Sequence, residues 1–194
     1  MKALQLRTID KLYFGHEDIA RALNISLNSA KVTATRYVRV GILVRLKRNM
    51  YMLQEKWTTL TTAQKFAIAN VIQTPSYISL TTALDFYEIT TQMQQNFIES
   101  IVLKRTRTVK VCDTVFNYVK INPDLYFGFM RKQGFFIAEP EKAFLDALYL
   151  MSLGRYRLDI AAIDLGKFDR DKINEFSRKF PPTTQKLLLN YEIA

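Results

Sequence analysis

The chain has 194 residues, of which 48% are hydrophobic and 24% charged, proportions that are typical of a globular protein and argue against a disordered one. No apolar run approaches the roughly 20 residues that cross a membrane, and residues 1–20 lack the apolar segment of a secretory signal, so a cytoplasmic protein without a membrane partner is expected. The single cysteine, Cys112, and the single histidine, His16, exclude an internal disulfide and a zinc site built from several Cys and His ligands.

The first part of the chain predicts three helices followed by a hairpin of two strands. These elements are predicted over residues 3–13, 17–23, 26–40, 42–46 and 50–53. Leu4 is a candidate core position of the first helix, Ser26 is a favourable N-cap for the third, and Gly41 is placed to end it. This order of elements is typical of a winged helix-turn-helix domain, here over residues 1–56.

The two faces of the third predicted helix differ in chemistry. Ala30, Ala34, Tyr37 and Gly41 recur at helical spacing and are expected to pack on the preceding helix. The opposite face carries polar and cationic groups that can hydrogen-bond to base edges or phosphates, and methyl groups that can contact thymine methyls. The candidate DNA-contacting residues on this face are Asn28, Lys31, Val32, Thr35, Arg36 and Arg39.

The predicted hairpin adds a cationic tip, which would contact the DNA backbone or the adjacent minor groove and so supply position and affinity more than sequence information. Its candidate residues are Arg45, Lys47, Arg48 and Asn49. Tyr51 is expected either to bridge the hairpin to the helix or to be a core ring with a solvated hydroxyl.

Charge supports the same assignment. The net charge is +10, and residues 1–56 contain 11 Lys and Arg against 4 Asp and Glu, whereas residues 57–194 contain 17 against 14. Seven cations and no acid lie between Asp18 and Glu55, where an ordinary solvated surface would mix both signs. Cationic surfaces also serve solubility or acidic protein partners, but double-stranded DNA is the favoured partner of this region.

Residues 57–194 predict a mixed α+β domain after a short polar joint. Strands are expected over residues 98–111 and 115–121, joined by a turn, and over residues 134–138. Pro140 suits the first turn of a helix, on whose exposed face Asp146 is expected. Further helices are predicted over residues 62–72, in the second half of residues 77–89, and over residues 169–180 and 183–191.

Four segments occur in the order and approximate spacing of a known family. They are IARALNISLNSAKVTATRYVRVGILVRLKRNMYML at residues 19–53, SYISLTTALDFYEI at 76–89, VLKRTRTVKV at 102–111 and FFIAEPEKAFLDALYL at 135–150. With these segments the chain resembles the AbiEi-type antitoxins of bacterial abortive-infection toxin-antitoxin pairs. It departs from the family at Asn49, where glycine is expected, although asparagine also tolerates a positive φ. The chain is also short for the family.

The resemblance implies a phage-defence function divided between two domains. The N-terminal domain would repress the pair's own promoter by binding inverted repeats, and the C-terminal domain would neutralise a nucleotidyltransferase-like toxin. The residues themselves leave a second interpretation open, a stand-alone winged-helix transcriptional regulator whose C-terminal domain senses a ligand or forms a dimer. An RNA-binding module is disfavoured because no paired aromatic strands are present.

A second basic segment carries Lys104, Arg105, Arg107 and Lys110 without an acid. In one continuous strand, alternation would place Arg105 and Arg107 on one face and the two lysines on the other. The segment could extend the DNA-binding surface, contact an acidic toxin surface, or be a strand edge whose charge prevents aggregation.

The chain is not expected to be an enzyme. Nuclease sites typically place an acid two residues before a lysine, but Pro140 occupies that position before Lys142. Gly128 and Gly134 are isolated and form no phosphate-binding loop. We therefore predict no catalytic residues, no cofactor and no metal ligands.

Overall fold

The computed structural model describes residues 2–191 and divides the chain into two compact units, Met1–Lys65 and Phe66–Ala194. The chain contains helices and sheets in both units, which confirms the expected α+β class. The division lies inside a helix, whereas the sequence predicts a domain boundary after residue 56. Within the described residues, no helix has both the length and the apolar character needed to cross a membrane.

The N-terminal unit combines helices with a two-stranded antiparallel sheet. Its elements are a 3₁₀ helix (Lys2–Thr8), α1 (His16–Leu23), α2 (Leu27–Arg39), β1 (Leu43–Lys47), β2 (Met50–Leu53) and α3 (Gln54–Trp57). Ser26 caps α2 as predicted, because its Oγ accepts the N–H of Ser29 at 3.1 Å. Gly41 follows the helix with a φ of +73°, the conformation that ends many helices.

The predicted helix over residues 3–13 is wrong. The helical part is a 3₁₀ helix that ends at Thr8, and Phe14 and Tyr51 then exchange backbone hydrogen bonds of 2.8 and 2.9 Å. Residue 14 thereby pairs with the hairpin, which requires extended backbone there. Leu4, expected in the core, is 57% exposed, whereas Leu6 is fully buried, because a 3₁₀ helix has a different period from an α-helix.

α2 packs against the rest of its unit through small side chains. Ala30 and Ala34 are fully buried and Tyr37 is nearly so, as their spacing predicted, but Gly41 is exposed. The small alanine side chains allow neighbouring elements to approach this side of α2 closely. Because this side is buried, the opposite side of α2 faces solvent. One buried hydrophobic cluster of this unit consists of Leu6, Ile9, Phe14, Ile19, Leu23, Ala30, Ala34, Tyr37, Leu43, Tyr51 and Leu53.

The C-terminal unit is built on a six-stranded mixed sheet. Its strands are β3 (Ser76–Ile78), β4 (Phe97–Val102), β5 (Arg107–Val111), β6 (Thr114–Lys120), β7 (Phe129–Lys132) and β8 (Phe135–Ala138). The helices are α4 (Thr62–Ile72), which spans the division, α5 (Leu80–Phe86), α6 (Pro140–Ser152), α7 (Arg170–Ser177) and α8 (Pro182–Leu189), with 3₁₀ turns at Pro123–Leu125, Ile160–Ala162 and Leu165–Lys167. The strand order is β5-β6-β4-β3-β8-β7, in which the pairs β6/β4 and β3/β8 are parallel and the others antiparallel.

The single strand predicted over residues 98–111 is wrong, because two strands occupy this region. β6 pairs with both β4 and β5, so β5 lies at the edge of the sheet and is separated from β4 by a strand. Residues 103–106 connect β4 to β5 past the intervening strand β6, so they pair with neither of the neighbouring strands. The hairpin formed by β5 and β6 is present as predicted, whereas β7 was not predicted.

α6 begins with Pro140 in its first turn, as predicted. The helix contacts β8, α5, α7 and α8 and is therefore enclosed by the fold. Its charged residues Glu141, Lys142 and Asp146 are 4%, 0% and 0% exposed. The expectation that Asp146 lies on an exposed face is consequently wrong.

Candidate nucleic-acid interface

All the candidate residues of α2 lie on its solvent side. Asn28, Lys31, Val32, Thr35, Arg36 and Arg39 are exposed. The exposure of Val32 reaches 70%, which is unusual for a branched apolar side chain. Polar, cationic and methyl-bearing groups therefore share one accessible helix surface.

Two of these side chains make contacts within α2. The hydroxyl of Thr35 donates to the carbonyl of Lys31 at 3.0 Å, so its proton is used by the helix while its methyl group stays available. The guanidinium carbon of Arg36 lies 5.5 Å from the ring centroid of Tyr37. This contact supports the arginine stem against the buried ring.

The hairpin supplies a second group of cations. Arg45 and Arg48 are exposed, and Lys47 is half-buried. We call Lys31, Arg36, Arg39, Arg45 and Arg48 the basic surface. In the described part of the chain none of these five side chains forms an ion pair with a carboxylate, so their charges are available to an external anion.

Asn49, predicted as a DNA contact, has a structural role within the unit. Its φ of +54° suits the hairpin turn. Its Oδ1 accepts the backbone N–H of His16 at 2.7 Å, and its Nδ2 donates to Glu17 Oε2 at 3.4 Å. Since the residue at the N-cap of α1, Gly15, has no side chain to accept such a bond, Asn49 caps the helix from the hairpin.

We predict that Asn49→Ala destabilises the N-terminal unit by about 2–3 kcal/mol, the sum of a lost cap and a positive φ without glycine. Asn49→Gly is the matched variant, since it keeps the turn and loses only the cap, and should cost about 1 kcal/mol. Urea unfolding followed by the fluorescence of Trp57, the one tryptophan of the chain, measures both values. Equal losses in the two variants would contradict the role given to the turn.

Tyr51 links the hairpin to α1. Its ring is 4% exposed, its hydroxyl lies 3.0 Å from Nε2 of His16, and the two ring centroids are 5.3 Å apart. Burial lowers the pKa of His16 below its ordinary value, the charge of Glu17 opposes this shift, and the charges of Lys31 and Arg45 add to it. The imidazole thus lies where charges from α2 and β1 converge.

The second basic segment does not form one surface. Arg107 begins β5, donates from Nη2 to the carbonyl of Ile72 at 3.2 Å and lies over the ring of Tyr118 at 5.8 Å. Lys104 and Arg105 are exposed in the connection before β5, and Lys110 is exposed on that edge strand. The predicted alternation is therefore wrong, and Arg107 serves the fold.

Among residues 2–191, no three His, Cys, Asp or Glu side chains are grouped closely enough to hold a metal ion. No family model matches the chain, and no curated protein sequence matches it. Among solved structures, the chain is similar to the RV2827C protein of Mycobacterium tuberculosis, with a TM-score of 0.60 and 10% sequence identity. The match covers 94% of this chain and 71% of that chain. At this identity the likeness concerns the fold alone.

Proposed function

We propose that the protein is the antitoxin of a bacterial toxin-antitoxin pair that binds operator DNA to repress its own operon. In this proposal residues 1–56 form a winged helix-turn-helix domain, α2 is its recognition helix and the β1–β2 hairpin is its wing. The observation that carries the proposal is the basic surface, whose five cations have no carboxylate partner in the described chain. Such a surface attracts the phosphates of duplex DNA and releases their counterions on binding.

The dimensions and chemistry of α2 support recognition in the major groove. A helix with its side chains is about 10–12 Å wide, which matches the roughly 12 Å width of that groove. Asn28 and Arg36 can hydrogen-bond to base edges, and Val32 can contact a thymine methyl group. The wing arginines Arg45 and Arg48 would then contact the backbone.

The antitoxin part of the proposal is supported by the resemblance of three segments to the AbiEi-type family. In the fold these segments contribute β3 with α5, β5, and β8 with α6, all within the C-terminal unit. That unit would neutralise a nucleotidyltransferase-like toxin. Lys104, Arg105 and Lys110, which are exposed, remain candidates for contact with the toxin or with DNA.

Two measurements test the two parts separately. A gel shift of the full chain on the DNA upstream of its own gene should give a complex that resists excess unrelated duplex. Co-expression with the product of a neighbouring nucleotidyltransferase gene should restore growth. DNA binding without rescue would favour the stand-alone regulator, and the absence of a specific complex would remove the repressor assignment.

A further inference from the structure

His16 occupies a fixed position between α1 and the hairpin. It is the first residue of α1, and its backbone N–H donates to Asn49 Oδ1 at 2.7 Å. Its Nε2 lies 3.0 Å from the hydroxyl of Tyr51, which is itself buried in the core. Backbone and ring are therefore both held by the hairpin, so the orientation of the imidazole is set before any ligand arrives.

The second ring nitrogen is available to a ligand. Within residues 2–191 the imidazole of His16 makes one hydrogen bond, between Nε2 and the hydroxyl of Tyr51. The side chain is half-buried, which leaves part of the ring at the surface. Nδ1 can consequently donate a hydrogen bond outward, in either the neutral tautomer that carries a proton there or the imidazolium.

The charges around the ring favour an anion at this place. Lys31 from α2 and Arg45 from β1 both act on the imidazole, and Glu17, beside it in α1, is the acid that opposes them. The polar groups facing it from the hairpin are Asn49 and Tyr51. A phosphate drawn to the two cations would offset their repulsion of an imidazolium and give Nδ1 an acceptor.

We propose that His16 is a further contact of the DNA complex, donating from Nδ1 to a backbone phosphate held near Lys31 and Arg45, and that it takes up a proton when DNA binds. The inference rests on the proposed DNA-binding function. It adds an imidazole to a basic surface that otherwise consists of lysine and arginine side chains. The proton comes from solvent and stays on the imidazole while the phosphate is bound.

The direction of the pH dependence follows from linkage. In the free protein the pKa of His16 is lowered, chiefly by burial. In the complex the phosphate raises it, so binding strengthens as the pH falls through the interval between the free and bound values. If the rise is about one unit, the affinity changes by at most about tenfold, as the pH falls from above the bound value to below the free value.

The single histidine makes the measurement direct. NMR titration of its ring protons gives the pKa of His16 in the free chain and in complex with a mixed-sequence DNA duplex at low salt. We expect a higher pKa in the complex. DNA binding with an unchanged or lower pKa would overturn this inference and leave the proposed function intact, whereas the absence of DNA binding at every pH would overturn both.

His16→Gln provides the matched variant. Glutamine can still pair with the hydroxyl of Tyr51 but cannot take up a proton, so the affinity of this variant should lose the tenfold pH dependence. Persistence of that dependence in the variant would assign the proton to another group, such as the chain's amino terminus, and overturn the inference. If the variant fails to fold, judged by the fluorescence of Trp57, the titration of the unchanged chain still decides.

Discussion

Lys142→Met should destabilise the C-terminal unit by about 3–5 kcal/mol, the cost of leaving a buried charge without its partner. Lys142 and Asp146 are one helical turn apart in α6, form an ion pair and are both inaccessible to solvent. Burial lowers the pKa of Lys142 and raises that of Asp146, so the enclosed site penalises both charged forms. The attraction between the two charges offsets part of the free-energy cost of burying each of them.

Hydrogen bonds complete this buried site. Asp146 Oδ2 accepts from the hydroxyls of Tyr77 at 3.0 Å and Ser79 at 2.8 Å. Lys142 Nζ donates to the same tyrosine oxygen at 3.0 Å and lies 5.1 Å from the ring centroid of Phe127. The ion pair thus joins α6 to β3 and its following residue, so loss of one charge disturbs the centre of the unit.

The double variant Lys142→Met with Asp146→Asn distinguishes charge from packing. It removes both charges and keeps an oxygen that can accept from Tyr77 or Ser79. We therefore expect it to be more stable than the sum of the single changes by about 2 kcal/mol or more. Additive losses would contradict the assignment of the cost to an unpaired charge.

The matched control in the same unit is Lys172→Met. Lys172 pairs with Glu139 at 2.8 Å, but its side chain is 47% exposed, so this change should cost no more than about 1 kcal/mol. Urea unfolding followed by far-ultraviolet circular dichroism reports both units, and Trp57 reports the N-terminal one. For Lys142→Met we expect a lower urea midpoint in the circular dichroism signal than for Lys172→Met.

Local chemistry explains which parts of the fold could be predicted. The boundaries of α2 follow from neighbouring residues, since Ser26 caps its start and Gly41 follows its end. The buried side of α2 follows from the spacing of Ala30 and Ala34. The candidate DNA contacts lie on the opposite face of this amphipathic helix, so their exposure to solvent follows from the same spacing.

Long-range contacts explain what was missed. The extended backbone at Phe14 is set by pairing with Tyr51, far along the chain. The burial of Asp146 depends on the hydroxyls of Tyr77 and Ser79 and on Lys142. Hydrophobic periodicity treats such an aspartate as solvent-facing. The capping of α1 by Asn49 had one local signal, a glycine at the N-cap position. The oxygen that accepts the N–H of His16 belongs to Asn49 in the hairpin, which is distant in sequence.

Asn28→Ala with Arg36→Ala should reduce the preference for operator DNA over unrelated DNA. Both side chains are exposed on α2, where side chains would contact base edges in the proposed complex. Loss of a specific base contact costs about 1–3 kcal/mol, which is roughly a fivefold to 150-fold loss of operator affinity. Titrations with both duplexes, compared at the same salt concentration, measure this ratio.

Arg45→Ala with Arg48→Ala should act differently. These arginines lie on the hairpin and would contact phosphates, so their loss should weaken operator and unrelated DNA to the same extent. Each lost phosphate contact flattens the slope of log affinity against log salt by roughly 0.9. Salt titrations of the two double variants therefore separate the two roles.

Lys186→Ala is the control for charge alone, since Lys186 is an exposed cation in α8 of the C-terminal unit. It should leave both the affinity ratio and the salt slope unchanged. Equal effects of the helix and hairpin variants on both quantities would mean that α2 is not the recognition helix. An effect of Lys186→Ala as large as theirs would mean that the net charge of the chain, rather than the basic surface, holds the DNA.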